Sequence, residues 1–219
     1  MPRRLSLLGL LVLGLTVGVT GPAFAGTESD DAIAADAVLT EDDVSTYGLT
    51  ETQSSDSPPP NAPACKKIRA ANKAADRAAN AESEFGDSGG TRVGDKVIVF
   101  SGVKAAKAQI AAYSDAKAAK CLETTIKKSL EENLEPGSSS RFSGDKVALQ
   151  LGDDGFVYTI GIEVTDPQGS VSTLYLEAGL IRVGRGVIEM DTFASDAPFP
   201  GSEDLATVLT DRLSESLGV

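Results

Sequence analysis

The 219-residue chain offers few groups able to do covalent chemistry. The string "GDSGG", residues 86–90, sets Ser88 between an aspartate and two glycines, a tight turn on which a hydroxyl can be presented for attack. A serine is only an alcohol until a base takes its proton, and the chain contains no histidine. Lys96 is the nearest alternative base, with no further residue to support the pairing, so Ser88 reads as part of a Gly/Ser turn leading into the strand "KVIVF". Without histidine, two cysteines make no ordinary zinc site. The glycines do not spell a phosphate-binding loop, and no carboxylate pair stands in a recognisable catalytic frame. Asp42 and Asp43 are an adjacent acidic pair of the kind calcium uses, but such pairs are far more often solvated surface. The expectation is a non-enzyme with no catalytic residue, metal or cofactor.

Two cysteines remain, Cys65 and Cys121. The chain opens with a basic Arg3-Arg4 pair, an apolar run from Leu5 to about Thr20 and small residues ending Ala23-Phe24-Ala25, the pattern of a secretory signal peptide cleaved before Gly26. The alternative is an uncleaved membrane anchor, which glycines, threonines and Pro22 make a poor span. In an oxidising compartment the two cysteines are expected to form one disulfide, stapling the first helix of the domain to the third; reduced buried thiols or an intermolecular bridge are the alternatives. Export predicts a secreted protein of the extracellular space or cell envelope, not membrane-spanning once processed.

Charge narrows the partners. Residues 1–25 hold two of the 20 basic residues and none of the 32 acidic ones, so the net charge of −12 becomes −14 after cleavage. Nucleic acid and anionic membrane surfaces would repel such a chain. Residues 26–62 are acidic and rich in Pro and Ser, with too little apolar area to offset their ordering entropy, and read as a largely disordered segment. Within them "AVLTEDDVSTYGL" carries Val38, Leu39, Val44, Tyr47 and Leu49 around a helix-capping signal and could dock.

Residues 63–219 fit one compact domain. "ACKKIRAANKAADRAANAES" has a small-residue stripe at helical spacing and predicts a helix from Ala64 to about Ser83. "RVGDKVIVF" predicts a strand, "SGVKAAKAQIAAY" a helix, and residues from about Ala116 to Leu134 another, with Ala118, Leu122, Ile126 and Leu130 on its core face. The period then changes to two. "DKVALQLG", "FVYTIGIEVT", "VSTLYLEAGLIRV" with a bulge at Gly179, and "VIEMDTF" predict four strands joined by short turns, with "KVIVF" a candidate fifth. A C-terminal amphipathic helix starts near Ser202. The fold class is α+β, an antiparallel meander of about four to five strands with helices on one face.

That pattern places the candidate ligand residues. Phe156, Tyr158, Ile160, Ile162 and Val164 form the apolar face that should receive the helices. Thr159 and Glu163 then point the other way, and Tyr175 and Glu177 on the next strand join them in register. An aromatic ring beside hydroxyls and carboxylates on an open sheet could floor a site for a polar or cationic ligand; the plainer reading is a solvated sheet face.

"GDSGG" resembles the nucleophile motif of trypsin-like serine proteases over five residues only, with Thr91 where that family has proline. A broader resemblance covers residues 37–217. An "LT-x-x-D" segment, a Pro-rich stretch, a cysteine-bearing helix, "VIVFSGVKAAKAQIAAYSDAKAAKCL", a sheet and the hairpin "LIRVGRGVIEMDTF" together resemble the extracellular sensor domain of mycobacterial PknH-type receptor kinases and related actinobacterial secreted proteins and lipoproteins. The resemblance implies a ligand-sensing or envelope role outside the membrane. Such kinase domains generally carry two disulfides, whereas this chain has cysteines for one and no kinase attached. Two functions stay open: an extracytoplasmic ligand-binding or sensor-like module with an unknown small ligand, and a structural or interaction protein of the envelope whose partner is another protein.

Overall fold

The computed structural model describes residues 28–52, 63–131 and 134–219. The expected signal peptide lies outside the described residues, as does the Pro-rich run of residues 53–62. In chain order the elements are α1 (Glu28–Ala37), α2 (Glu41–Val44), β1 (Thr50–Glu51), α3 (Lys66–Ala74), β2 (Arg77–Gly86), β3 (Arg92–Phe100), α4 (Val103–Tyr113), α5 (Ala116–Glu131), β4 (Ser139–Ala148), β5 (Asp154–Thr165), β6 (Val171–Val183), β7 (Gly186–Ser195) and α6 (Ser202–Leu217). The strands form one antiparallel sheet in the order β1-β2-β3-β7-β6-β5-β4.

The meander β4 to β7 is present, with β4 over Ser139–Ala148 and not the expected 145–152, and β3 joins it through β7. Four features correct the sequence reading. The sheet has seven strands, because the helix predicted over 64–83 ends at Ala74 and residues 77–86 become β2, and because Thr50–Glu51 of the segment expected to be disordered pair with β2 as β1. Alanine is the strongest helix former, but propensity is a weak preference that packing overrides, and Ala79 and Phe85 gain burial by alternating onto the sheet opposite Val99 and Val93. Pairing also runs regularly through Gly179, opposite Val157 and Met190, with no bulge there.

Helices cover both faces, not one. Ile160, Ile162, Val164, Leu176, Leu180 and Phe156 pack beneath α3, α4 and α5, on the face assigned to them from sequence. The second core lies on the opposite face, where Val97, Val99, Ile188 and Ile181 meet Leu205, Leu209 and Leu213 of α6. Ala34 and Ala37 of α1, with Leu39, Val44 and Leu49, complete that core, so the segment expected to be largely disordered is docked through residues 28–51. Its acids do not oppose docking, because two of them meet cations of the domain: Asp30 pairs with Arg185, and Asp43 with both nitrogens of the Arg212 guanidinium at 2.7 and 2.8 Å. The Thr40 capping box starts α2 as the sequence signals, with the Thr40 amide donating to Asp43 at 2.7 Å. Gly201 lets this segment close on α6: a Cβ there would lie 2.5 Å from the Tyr47 ring, which packs edge-on against Phe199 at 5.0 Å.

The disulfide joins Cys65, just before α3, to Cys121 of α5 with Cα atoms 4.8 Å apart. No helix among the described residues is long and apolar enough to cross a membrane.

Candidate ligand-binding site

Residues opposite one another on neighbouring antiparallel strands share a face, so the register sorts side chains into rungs. One rung reads Glu82, Lys96, Glu189, Leu180, Phe156 across β2, β3, β7, β6 and β5. The next reads Glu84, Gly94, Asp191, Ala178, Tyr158. Both change from charged to apolar between β7 and β6. The apolar half is the floor of the α3–α5 core; the charged half lies on the same face of β2, β3 and β7.

The cover over the charged half is partial. The α4 helix crosses β3, β6 and β7 and brings Gln109 onto Glu189. Gln109 donates to Asn72 of α3 at 2.9 Å, and the Asn72 amide donates to the Tyr113 hydroxyl at 3.0 Å, while Tyr158 donates to the Tyr113 carbonyl at 3.1 Å. This polar seam closes the apolar core along the edge of the charged floor. Beyond it Glu82, Glu84, Arg92, Glu189 and Asp191 all keep partial solvent access, whereas Lys96 is only 4% exposed.

Two carboxylates on the floor carry a cation. Lys96 bonds Glu82 at 2.7 Å, and Arg92 bonds Glu84 at 2.9 Å. Burial pushes Glu189 up, against the opposing pull of Arg77 and Lys96 and a hydrogen bond from Gln109; its Oε1 is buried with no hydrogen-bond partner. Asp191 receives neither a hydrogen bond nor a cation among the described residues. Burial, then Glu84, Asp95 and Glu189, push its carboxyl up to about 8. Gly94 stands directly opposite, where a Cβ would come 3.1 Å from Asp191 Oδ1, so the glycine lets the carboxylate lie close against the β3 backbone.

Asp95 looks the other way, into the core beneath α1. It is 1% exposed, accepts from the Leu39 amide at 3.3 Å and from the Ser83 hydroxyl, and burial pushes it up to about 7.

The residues singled out from sequence fall as follows. Thr159, Glu163, Tyr175 and Glu177 do share a face, with Thr159 opposite Glu177 and Tyr175 opposite Gly161. Glu163 is exposed and the other three are half-buried. The start of α6 meets Glu177, whose Oε2 accepts from Ser202 and from Thr192 at 3.2 Å, so this carboxylate is already engaged. Asp42 is exposed while Asp43 binds Arg212, which splits the acidic pair; no group of acidic or cysteine side chains among the described residues is arranged to hold a metal. Ser88 sits in the exposed β2–β3 turn, where the Asp87 carboxylate accepts from the Thr91 amide at 2.8 Å. Lys96 lies four residues beyond the first paired residue of β3, roughly 13 Å along the strand from the turn, and is held by Glu82.

Sequence reasoning missed Glu82, Glu84, Arg92, Lys96, Glu189 and Asp191. The signal was present in "VIEMDTF" and "RVGDKVIVF", where charged residues alternate with apolar ones inside strands that have neighbours on both sides.

The class is an α+β fold with a seven-stranded antiparallel sheet covered by helices on both faces. Among solved structures it is similar to the extracellular domain of PknH from Mycobacterium tuberculosis, at 12% identity over 84% of this chain and 96% of that one, with a TM-score of 0.49. It is also similar to LpqN, involved in cell envelope biogenesis of the same organism, at 18% identity over 59% of this chain and 61% of that one, with a TM-score of 0.24. No family model and no curated protein matches the chain.

Proposed function

We propose that this protein is an extracytoplasmic ligand-binding, sensor-like module without catalytic activity, whose small ligand sits on the charged floor of β2, β3 and β7. The observation that carries the reading is Asp191, a half-buried carboxylate with neither donor nor cation among the described residues, on a floor that α4 covers only along one edge. A carboxylate in such surroundings costs stability, and the cost is readily offset by a ligand that donates to it. The Cys65–Cys121 disulfide and the leader-like N-terminus support an oxidising compartment. The lack of histidine and the distance of Lys96 from Ser88 support the absence of hydrolytic chemistry.

A thermal-shift screen of small metabolites against the mature chain and its Asp191→Asn variant tests the proposal. Compounds that raise the melting temperature of the first and not the second support it; a screen in which every stabilising compound acts equally on both overturns it.

A second reading, a protein-interaction surface of the envelope, rests on the opposite face. There Val147 of β4 and Val171 of β6, 55% and 63% exposed, lie on the face that carries Thr159, Glu163 and Tyr175. A stable complex lost on Val147→Asp together with Val171→Asp, with Asp191→Asn harmless, would favour it.

A further inference from the structure

The two edges of the sheet are finished differently. At one, β1 is two residues long and α1 packs along β2 behind it. At the other, β4 runs ten residues, paired to β5 in unbroken register, and no second strand joins it among the described residues. Eight of the ten are exposed and two half-buried, so no covering layer closes this edge. The strand holds neither proline nor bulge, the usual devices that keep an edge from pairing. It therefore presents a row of backbone N–H and C=O groups to any strand of matching pattern.

The side chains of β4 indicate which strand that is. Arg141, Ser143, Asp145 and Val147 lie on the face of Thr159 and Glu163, whereas Phe142, Gly144 and Lys146 lie on the face of α3, α4 and α5. In an antiparallel ladder, facing residues both turn their backbone groups towards the junction, and these directions alternate along a strand. Two copies of β4 related by a two-fold axis must then meet in a register centred on a residue, never between two. Centred on Arg141 or Asp145, the register opposes like charges. Centred on Phe142 or Gly144, it leaves both charges facing neutral side chains. Centred on Ser143, it sets Arg141 against Asp145 of the second copy and, by symmetry, Asp145 against Arg141. On the other face the same register sets Phe142 opposite Gly144, where no side chain competes with the ring. Neither Arg141 nor Asp145 forms an ion pair among the described residues. Glu163 stands opposite Arg141 within the chain, so each guanidinium would lie between two carboxylates. The chain is acidic overall, at −12, but β4 carries Arg141 and Lys146 against one acid, and the two edges do not meet as like-charged surfaces.

We propose that this protein pairs with a second copy of itself through β4, antiparallel and centred on Ser143, joining two seven-stranded sheets edge to edge. Asp191 lies three strands away on β7, so this pairing and the ligand site stand or fall separately.

The test is sedimentation equilibrium of the full mature chain and of variants at exposed positions of β4. The expected result is a concentration-dependent monomer–dimer equilibrium. Arg141→Asp opposes acid to acid at both pairs, Asp145→Arg opposes base to base, and each should weaken the dimer about tenfold or more. The two together reverse both pairs and keep them complementary, and should restore the affinity to within about threefold. Ser143→Cys sets a thiol on the two-fold axis, where facing Cα atoms about 4.5–5.5 Å apart suit a disulfide. It should crosslink the dimer on mild oxidation, whereas Ser139→Cys, which faces Val147, should not. Because Ser143→Cys changes no charge, it decides the matter even if the charge variants fold poorly. A chain that stays monomeric up to about millimolar concentration, a dimer indifferent to Arg141→Asp, a double variant no tighter than the singles, or a Ser143→Cys dimer that does not crosslink overturns the inference. If the chain stays monomeric while a photocrosslinker on Ser143→Cys captures a different envelope protein, the edge belongs to a foreign strand and self-pairing falls.

Discussion

The strands β2, β3 and β7 carry two faces built on opposite principles. Towards α1 and α6 they show Phe85, Val93, Val97, Ile188 and Met190, and the one acid among the floor residues there, Asp95, is sealed in with a backbone amide and a serine hydroxyl as donors. Towards α4 the same strands show Glu82, Glu84, Glu189 and Asp191, partly open, around a buried Lys96, and only partly paired. The backbone is common to both, so the difference comes from cover. A face closed by two helices holds one carboxylate, bonded through Oδ1 with Oδ2 left without a partner; a face closed along one edge by α4 keeps four. Charge is placed where the covering layer stops.

The comparison breaks most severely if the closed face is uncovered. Deleting residues 26–51 removes Ala34, Ala37, Leu39, Val44 and Leu49 from the second core, and at roughly 1.5–3 kcal/mol for each large apolar side chain the loss should exceed about 5 kcal/mol. Denaturant melts of the deleted and mature chains measure it; a change within error would mean that the segment does not hold that face. Next in size is the staple beneath the opposite face. Cys65→Ser with Cys121→Ser opens a bridge of sequence separation 56 and should cost about 4 kcal/mol on the chain-entropy account. Hydrogen exchange should then quicken in α3 and α5 before α6, and a uniform change would contradict the assignment of the staple to one face.

A smaller effect separates the two acids by pH. A carboxyl whose folded pKa is raised holds its proton in the folded state over a range where the unfolded chain has released it, so folded stability falls as pH rises through that range. The window runs from about 4 up to about 7 for Asp95 and up to about 8 for Asp191. The groups acting on Asp191 are Glu84, Glu189 and Asp95; those acting on Asp95 are Ser83, Leu39, Arg212 and Asp43. Asp191→Asn should flatten the slope and stabilise the protein at pH 8.5 by on the order of 2 kcal/mol, and Asp95→Asn should do the same over a range ending one pH unit lower. Melting temperatures from pH 4.5 to 9 read this directly, and a wild-type profile flat across that range would refute both. The smallest effect belongs to Ser88→Ala, which should change stability by less than about 0.5 kcal/mol and leave ligand binding alone. Labelling of Ser88 by a fluorophosphonate probe would reverse that expectation.

The meander, α4, α5, α6, the cysteine pair and the helix-bearing face of β5 were legible because each rests on one strong local signal: period two between turn residues, period near four in "AKAAKCLETTIKKSL", or two cysteines in an exported chain. The β2 strand was hidden because its alanines satisfy a helical stripe as well as an alternating one. In "AANAESEF" the pattern Ala79, Ala81, Ser83, Phe85 against Asn80, Glu82, Glu84 does have period two, and a turn at 87–90 before a strand of similar length is the arithmetic of a hairpin. The docked N-terminal segment was hidden for a different reason. Its negative charge argues for solvation, and the cations that receive Asp30 and Asp43, Arg185 and Arg212, lie more than 150 residues away in sequence. The site followed β2 into obscurity, since without that strand Glu84 has no place beside Asp191.

The register of β3 against β7 bears on the order of events during folding. The β2–β3 hairpin closes through a short turn, and β4 to β7 form a chain of hairpins, so each unit can be built from near neighbours. Only the pairing that sets Arg92 opposite Phe193 joins them, and it closes the longest loop in the sheet. The carboxylates of β7 meet those of β2 at that step and not before. Pulse-labelled amides of the β3–β7 ladder should accordingly gain protection after those of β5–β6, which would make ligand competence a late event that a chain with only its local hairpins formed cannot mimic.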